Sequence, residues 1–496
     1  MLLLAIVSAV SVLLIFYSFF TAIIFSALCI IFIFLLNYKK QGGVFIFCGA
    51  CLLSVILSSA NCLNDIERMN KMDEMTVNGE FVTVTASENR SENYLCVVEV
   101  IKSPVLEKGD RLQVKYTGPK LRVGQSFKAN AYLTRVSGEV AARSFYSENI
   151  YMFADLSNIV LTNNNDFVLT AIDGFREFIK NEIFKFYGKA EAATMLALLT
   201  GDRTYLSDSF YSNITGAGVM HVMVVSGMHL SIIVTLMLNL VNKFVYNRFF
   251  KSFVIFLTIL AVAAVCGFTM SILRAGITYL LVSISLLLNR QSNGANNLGT
   301  AVSVILLFNP MAIFSVALQL SVLSTFGILG IALPITKFLK DKKIICSKWC
   351  LTVVSAVFIT VSAMILTLPV TISVFGYVSN MSLLANLLIS FAATLAICFC
   401  IIGFILFPLR GVLFYLSNIV VSYINAVINY CGSSPFAISE LPRWSAYLAV
   451  VIIILIFYIL VACANRDYML KLKSVVENKL KEGGKPKKWL SFLKKR

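Results

Sequence analysis

The chain has 496 residues, of which 58% are hydrophobic and 14% charged, with a mean hydropathy of +0.84. Soluble domains are nearer half apolar and a quarter charged, so this composition excludes a soluble, disordered, collagen-like or disulfide-stapled secreted protein and indicates a membrane protein. Forty-two Lys and Arg against 25 Asp and Glu leave a net charge of +17, which reads either as a nucleic-acid footprint or as the loop asymmetry that orients membrane spans.

Residues 1–36 are apolar and carry no charge. They lack a basic leader and a clear cleavage site, so they read as two short spans or one long tilted span rather than a signal peptide. Lys39 and Lys40 follow, then a further apolar run to Ser59. These N-terminal spans make up residues 1–62.

The character changes over residues 63–167. Alternating apolar and polar positions recur in Val77–Val84, Tyr94–Val100 and Arg111–Tyr116. Turn residues separate them, as at Glu107–Asp110 and Gly118-Pro119. Five or six short strands in so small a region predict a closed β-barrel, with an OB-like barrel as the natural candidate. Cys62 and Cys96 lie in or near this region, where a disulfide between them is left open.

Residues 168–213 read as an amphipathic helical segment at the outer membrane face. Residues 214–464 read as a polytopic domain. Spans are expected near 217–241, 252–270, 271–289, 297–309, 312–334, 350–370, 381–407, 411–431 and 445–463, the shorter ones as broken or re-entrant helices. A basic tail, 465–496, closes the chain. The expected fold is therefore a polytopic α-helical membrane protein of about twelve spans with a small extracytoplasmic OB-like β-barrel.

Placing the barrel outside and alternating the spans puts twelve Lys and Arg in the inner loops, Arg410 among them, against Asp341 alone. Both termini then lie on the cytoplasmic side. Residues 64–167 hold 12 Lys and Arg against 14 acids, so the outer region offers no cationic funnel. The basic excess is a positive-inside signal.

The chain has two histidines, His221 and His229. A multi-histidine metal centre is hard to build from two, so no metal, cofactor or catalytic residue is assigned. Both lie with Ser226 and Gly227 in an apolar run. On a straight helix Ser226 and His229 share a face, and His221 is about 12 Å away along the axis. Such residues face a bundle interior or a wet cavity; the competing reading is that they hydrogen-bond neighbouring helices. A Ser–His hydrolase lacks an acidic orienter here. Asp202-Arg203, Arg274, Gln319 and Asn386 are the other polar punctuations, and a lone arginine in an apolar stretch suits phosphate or an interfacial position.

The order of these elements resembles the competence domain of ComEC-type proteins. The resemblance rests on Ala197–Arg203, Thr215-Gly216 with His221–His229, Gly267-Phe268 with Ser271 and Arg274-Ala275, and Asn309-Pro310 with Gln319-Leu320-Ser321 and Gly327. It continues through Leu368-Pro369 with Phe375-Gly376 and Ala385-Asn386, and Ser434-Pro435-Phe436 with Leu441-Pro442. Asn309 stands where the family has an acid, and two residues are extra between Thr215 and His221. The metallo-β-lactamase-like nuclease of many members needs histidines that this chain does not carry after His229.

The resemblance implies a channel for single-stranded DNA in natural transformation, with Asp202, Arg203, His221, Ser226, Gly227, His229, Arg274, Gln319 and Asn386 as candidate channel residues. Expected partners are single-stranded DNA, membrane lipids, a DNA receptor at the outer face, a cytoplasmic ATPase (no P-loop motif is present) and a separate nuclease; a homo-oligomer is left open. Two other readings fit the same residues. One is a transporter of another anionic polymer or a lipid-linked substrate. The other is an embedded Ser226/His229 hydrolase.

Overall fold

The computed structural model describes residues 60, 63–86, 88–90, 93–136, 139–162, 164–341 and 347–453. The N-terminal spans, the Cys62–Cys96 pairing and the basic tail lie outside these residues.

The alternating segments form strands β1 (Thr76–Thr83), β2 (Glu88–Arg90), β3 (Asn93–Lys102), β4 (Arg111–Tyr116), β5 (Ser126–Arg135) and β6 (Ile150–Leu161). Five of them close in the order β1-β5-β6-β4-β3-β1, and β2 pairs outside β3. The ladders are antiparallel except β4 against β6, which is parallel. Period-two burial on β4 and β5 sends Leu112, Val114, Phe127, Ala131 and Leu133 inward, as a pleated strand with one buried face requires. A helix over residues 63–70 adds Met69 to this core. Its Arg68 holds the turn between β3 and β4 through Glu107 and through Asp110 at 3.0 Å.

Helix α1 (Glu139–Ser147) crosses from β5 to β6 and rests its Tyr146 and Ala142 on Met311. The Asn309 amide donates to the Ser147 carbonyl at 2.9 Å. An acid at that position would have no proton to donate, so the departure at Asn309 has a local reason.

The remaining helices are α2 (Phe167–Phe186), α3 (Lys189–Thr200), α4 (Asp208–Ala217), α5 (Met220–Met223), α6 (Gly227–Asn242), α7 (Arg248–Cys266), α8 (Met270–Leu287), α9 (Gly294–Phe308), α10 (Val316–Gly327), α11 (Leu333–Asp341), α12 (Lys348–Phe375), α13 (Ser382–Ile405) and α14 (Arg410–Gly432). A π-helical turn, Ile328–Ala332, joins α10 to α11. Among the described residues, six helices are long and apolar enough to cross a membrane: α7, α8, the α10–α11 run, α12, α13 and α14. This is a membrane protein with a small β-barrel domain. Helices α6 and α9 are apolar but shorter, at 16 and 15 residues. At about 1.5 Å per residue they fall short of about 30 Å of hydrocarbon. The continuous span expected at 217–241 is therefore corrected: the chain breaks between α5 and α6.

Two packing units divide the chain by contact density. Among the described residues, the first takes in the barrel and the helices up to Thr367 and Val378–Ser439; the second takes in Leu368–Tyr377 and the chain from Glu440 onward. In the second, the Gly376 carbonyl accepts from Leu441 N–H at 2.9 Å.

In the first unit α3 is buried from Ala192 to Leu198 and packs with α13 and α14. The Thr194 hydroxyl donates to Asn425 at 2.8 Å across that contact. Gly216 and Gly432 bring α4 and α14 into backbone contact, since a Cβ at Gly216 would lie 2.6 Å from the Gly432 carbonyl oxygen. The Arg176 guanidinium on α2 donates to the carbonyls of Ala264 and Val265 at 2.9 and 2.7 Å, meeting the C-terminal end of α7.

Glu182 on α2 forms an ion pair with Arg410 at the start of α14. The guanidinium lies over the rings of Phe186, Phe404, Phe407 and Phe414, 5.3 to 5.7 Å from each centroid. An ion pair cannot reach across a bilayer. The pair therefore sets Glu182, in the segment 168–213, at the same depth as the start of α14.

Removing one partner strands the other charge among aromatic rings. Glu182→Leu or Arg410→Leu alone should cost about 3–5 kcal/mol, and the double replacement should recover most of it. Thermal unfolding of the four proteins in one detergent measures this, and additive losses would remove the pair as a structural fastener.

Candidate functional site

The break before α6 has a local cause. Val224 and Ser226 are extended, and Ser226 is the N-cap of α6. The Ser226 hydroxyl accepts from Met228 N–H at 3.3 Å, and His229 Nδ1 accepts from Ser226 N–H at 3.1 Å. The same Nδ1 lies 3.1 Å from the Ser226 hydroxyl. Serine and histidine thus form a reciprocal capping box, with histidine in the position where Glu or Gln usually stands. Backbone donors exposed by a break in an apolar setting are satisfied this way.

This geometry also fixes the imidazole. With Nδ1 accepting, a neutral His229 carries its proton on Nε2. His229 is 1% exposed, and Nε2 has no hydrogen-bond partner. The Ser226 hydroxyl and Nδ1 are both engaged in the cap, which gives the Ser–His pair a structural use. The two histidines do not share one straight helix. His221 sits on α5, is exposed, and adjoins the side chain of Asn386 on α13.

Gly227 is the first residue of α6, and the Arg274 guanidinium of α8 packs on it. A Cβ at Gly227 would stand 3.1 Å from an Arg274 terminal nitrogen and 3.2 Å from the Ala275 Cβ. Arg274 donates to the Ser321 hydroxyl on α10, and Ser271 lies 3.0 Å from Ser321. Arg274 is 8% exposed, its Nε has no partner, and among the described residues no carboxylate pairs with it.

The structure brings together His221, Ser226, Gly227, His229, Arg274 and Asn386. It does not bring in Gln319, whose amide donates to the Ile313 carbonyl at 2.8 Å and braces the 3-10 turn before α10. Its neighbour Ser321 is the residue that reaches Arg274, and a serine spaced two residues from a glutamine gives no such signal in sequence. Asp202 is used locally, accepting from Thr204 N–H and hydroxyl at 3.0 and 2.7 Å. Arg203 is exposed and reaches the Met220 sulfur at 3.8 Å, beside His221. Ser379 closes the other side, donating to the Gly216 carbonyl at 2.6 Å.

Residues 198–466 match the model of the Competence protein family. The chain belongs to that family. Over 133 residues it is 26% identical to ComE operon protein 3 of Bacillus subtilis (strain 168); the match takes in 27% of this chain and 17% of that relative's length. No solved structure matches the chain. The ComEC-type resemblance read from separated motifs is thereby shown.

The cap can be tested directly. Ser226→Ala should lower the stability of the purified protein by about 1 kcal/mol, while Ser226→Asp or Ser226→Thr holds it near wild type. An unchanged thermal midpoint in Ser226→Ala would mean the α6 start is held by other contacts.

Proposed function

We propose that this Competence-family protein is a channel passing a single DNA strand across the bacterial cytoplasmic membrane during natural transformation. The observation that carries the reading is the convergence of five separated motif blocks at one helix break. Arg203 meets Met220, Ser379 meets Gly216, Asn386 adjoins His221, and Arg274 joins Gly227 to Ser321. A strand in transit needs polar donors at the depth of apolar helices, and irregular backbone there is expected where a path runs.

The barrel is assigned an OB-like fold. Its closure β1-β3-β4-β6-β5-β1, with β4 and β6 parallel, supports that assignment. It stands outside the membrane as an entrance that contacts the strand by stacking and backbone interactions. About twelve spans with both termini in the cytoplasm complete the topology. Capture and drive fall to partners: a DNA receptor at the outer face and a cytoplasmic ATPase.

Deleting the gene in a transformable host should leave labelled DNA bound at the surface with no internal strand. Unchanged uptake would sink the channel. Asn386 gives a finer test. Asn386 is buried beside His221, and leucine keeps nearly the same side-chain shape, so Asn386→Leu disturbs packing little. Uptake should fall while membrane abundance holds; a fall in abundance to match would make Asn386 a packing residue.

A further inference from the structure

Helices α6, α8, α9, α10 and α13 contain a single charged residue, Arg274. It is buried, and a buried cation is ordinarily paired with an acid or held by a ligand. Its partner here is the neutral hydroxyl of Ser321, and its Nε has none. The guanidinium also packs against Gly227, at the N-terminus of the 16-residue helix α6. A helix N-terminus carries a positive partial charge, so this contact sets positive against positive. Two positive groups in contact, with no anion beside them among the described residues, are unfavourable in a low-dielectric setting. The third residue of the same helix, His229, adds a buried Nε2–H with no acceptor.

We propose that the start of α6 is an oxyanion site for one phosphodiester group, held by the Arg274 guanidinium with the Ser271 and Ser321 hydroxyls and the His229 Nε2–H in support. Gly227 lacks a side chain because the guanidinium occupies that space. A single arginine suits a planar, forked grip on two phosphate oxygens. The site rests on the channel reading for the source of its phosphate, which is a nucleic-acid strand; a lipid headgroup or free pyrophosphate offers the same chemistry.

The test uses the full chain in nanodiscs of zwitterionic lipid. A fluorescent thymidine 20-mer is titrated by anisotropy at several salt concentrations, against wild type, Arg274→Lys, Arg274→Gln and Gly227→Ala. Arg274→Gln should weaken binding roughly tenfold and flatten the log–log salt slope by about 0.7, the value of one phosphate contact on a single strand. Arg274→Lys should keep the slope. Gly227→Ala should weaken binding without flattening it. A 20-mer with an uncharged methylphosphonate backbone should bind wild type and Arg274→Gln alike.

A folded Arg274→Gln protein with an unchanged slope overturns the site, and so does a loss of binding shared equally by the uncharged oligomer. Pyrophosphate separates the two proposals. If it binds wild type and not Arg274→Gln, while the 20-mer binds neither, the oxyanion site stands and the strand channel falls. If added anionic lipid competes with the 20-mer only where Arg274 is present, the site stands and the headgroup is a rival occupant.

Discussion

The arrangement depends on one constraint: a helix cannot stop inside an apolar layer unless its exposed backbone donors find partners. Ser226 and His229 supply those partners from within four residues of chain. The break they stabilise turns one expected span into α5 and α6. It leaves His221 on the first piece beside Asn386, and it presents the α6 start to α8, with Gly227 against Arg274. Without the cap, α5 would run on into α6. The polar residues would then be strung along one helix instead of meeting those of α8, α10 and α13.

The barrel was legible because its information is local. A period of two with turn residues between is written into Val77–Val84, Tyr94–Val100 and Arg111–Tyr116, and the strands β1, β3 and β4 fall within two residues of those bounds. The long apolar helices were legible for the same reason. The break at Ser226 was not, because a serine and a histidine three residues apart also fit one face of an uninterrupted helix. Hydropathy does not distinguish a side chain that caps a backbone from one that faces a neighbour. Helix α3 shows the converse. Its alanines and leucines suit almost any helical environment, and only the contacts with α13 and α14 identify it as core.

Charge placement was partly legible. A count of basic loops treats each arginine as a mark of sidedness, and Arg410 was read so. In the fold Arg410 instead binds Glu182 amid four phenylalanines, and Arg176 meets the carbonyl end of α7. Both contacts join α2 to residues more than eighty positions away. Sequence separation of that size hides a pairing from any local pattern, and a count of loop charges does not see it. Segment 168–213 shows this: its amphipathic pattern does not reveal that Arg176 and Glu182 tie α2 to α7 and α14.

The site itself poses a question of strength. A conducting path for a polyanion must bind well enough to admit each phosphate and weakly enough to release it. A ring of arginines would hold a strand in place. One arginine, shared with two serine hydroxyls and lying against a helix N-terminus, offers a foothold whose attraction is offset by hydroxyl contacts that re-form when the phosphate leaves. The His229 Nε2–H, a buried donor left without a partner, points the same way. A site with every donor satisfied is a finished structure, whereas unsatisfied groups at the end of a broken helix gain by each phosphate that arrives. The β-barrel region adds no attraction of its own, with 12 basic residues against 14 acids over 64–167. On the proposed channel reading, electrostatic selection for a strand belongs within the apolar layer, at Arg274, rather than at the barrel, where salt would screen it.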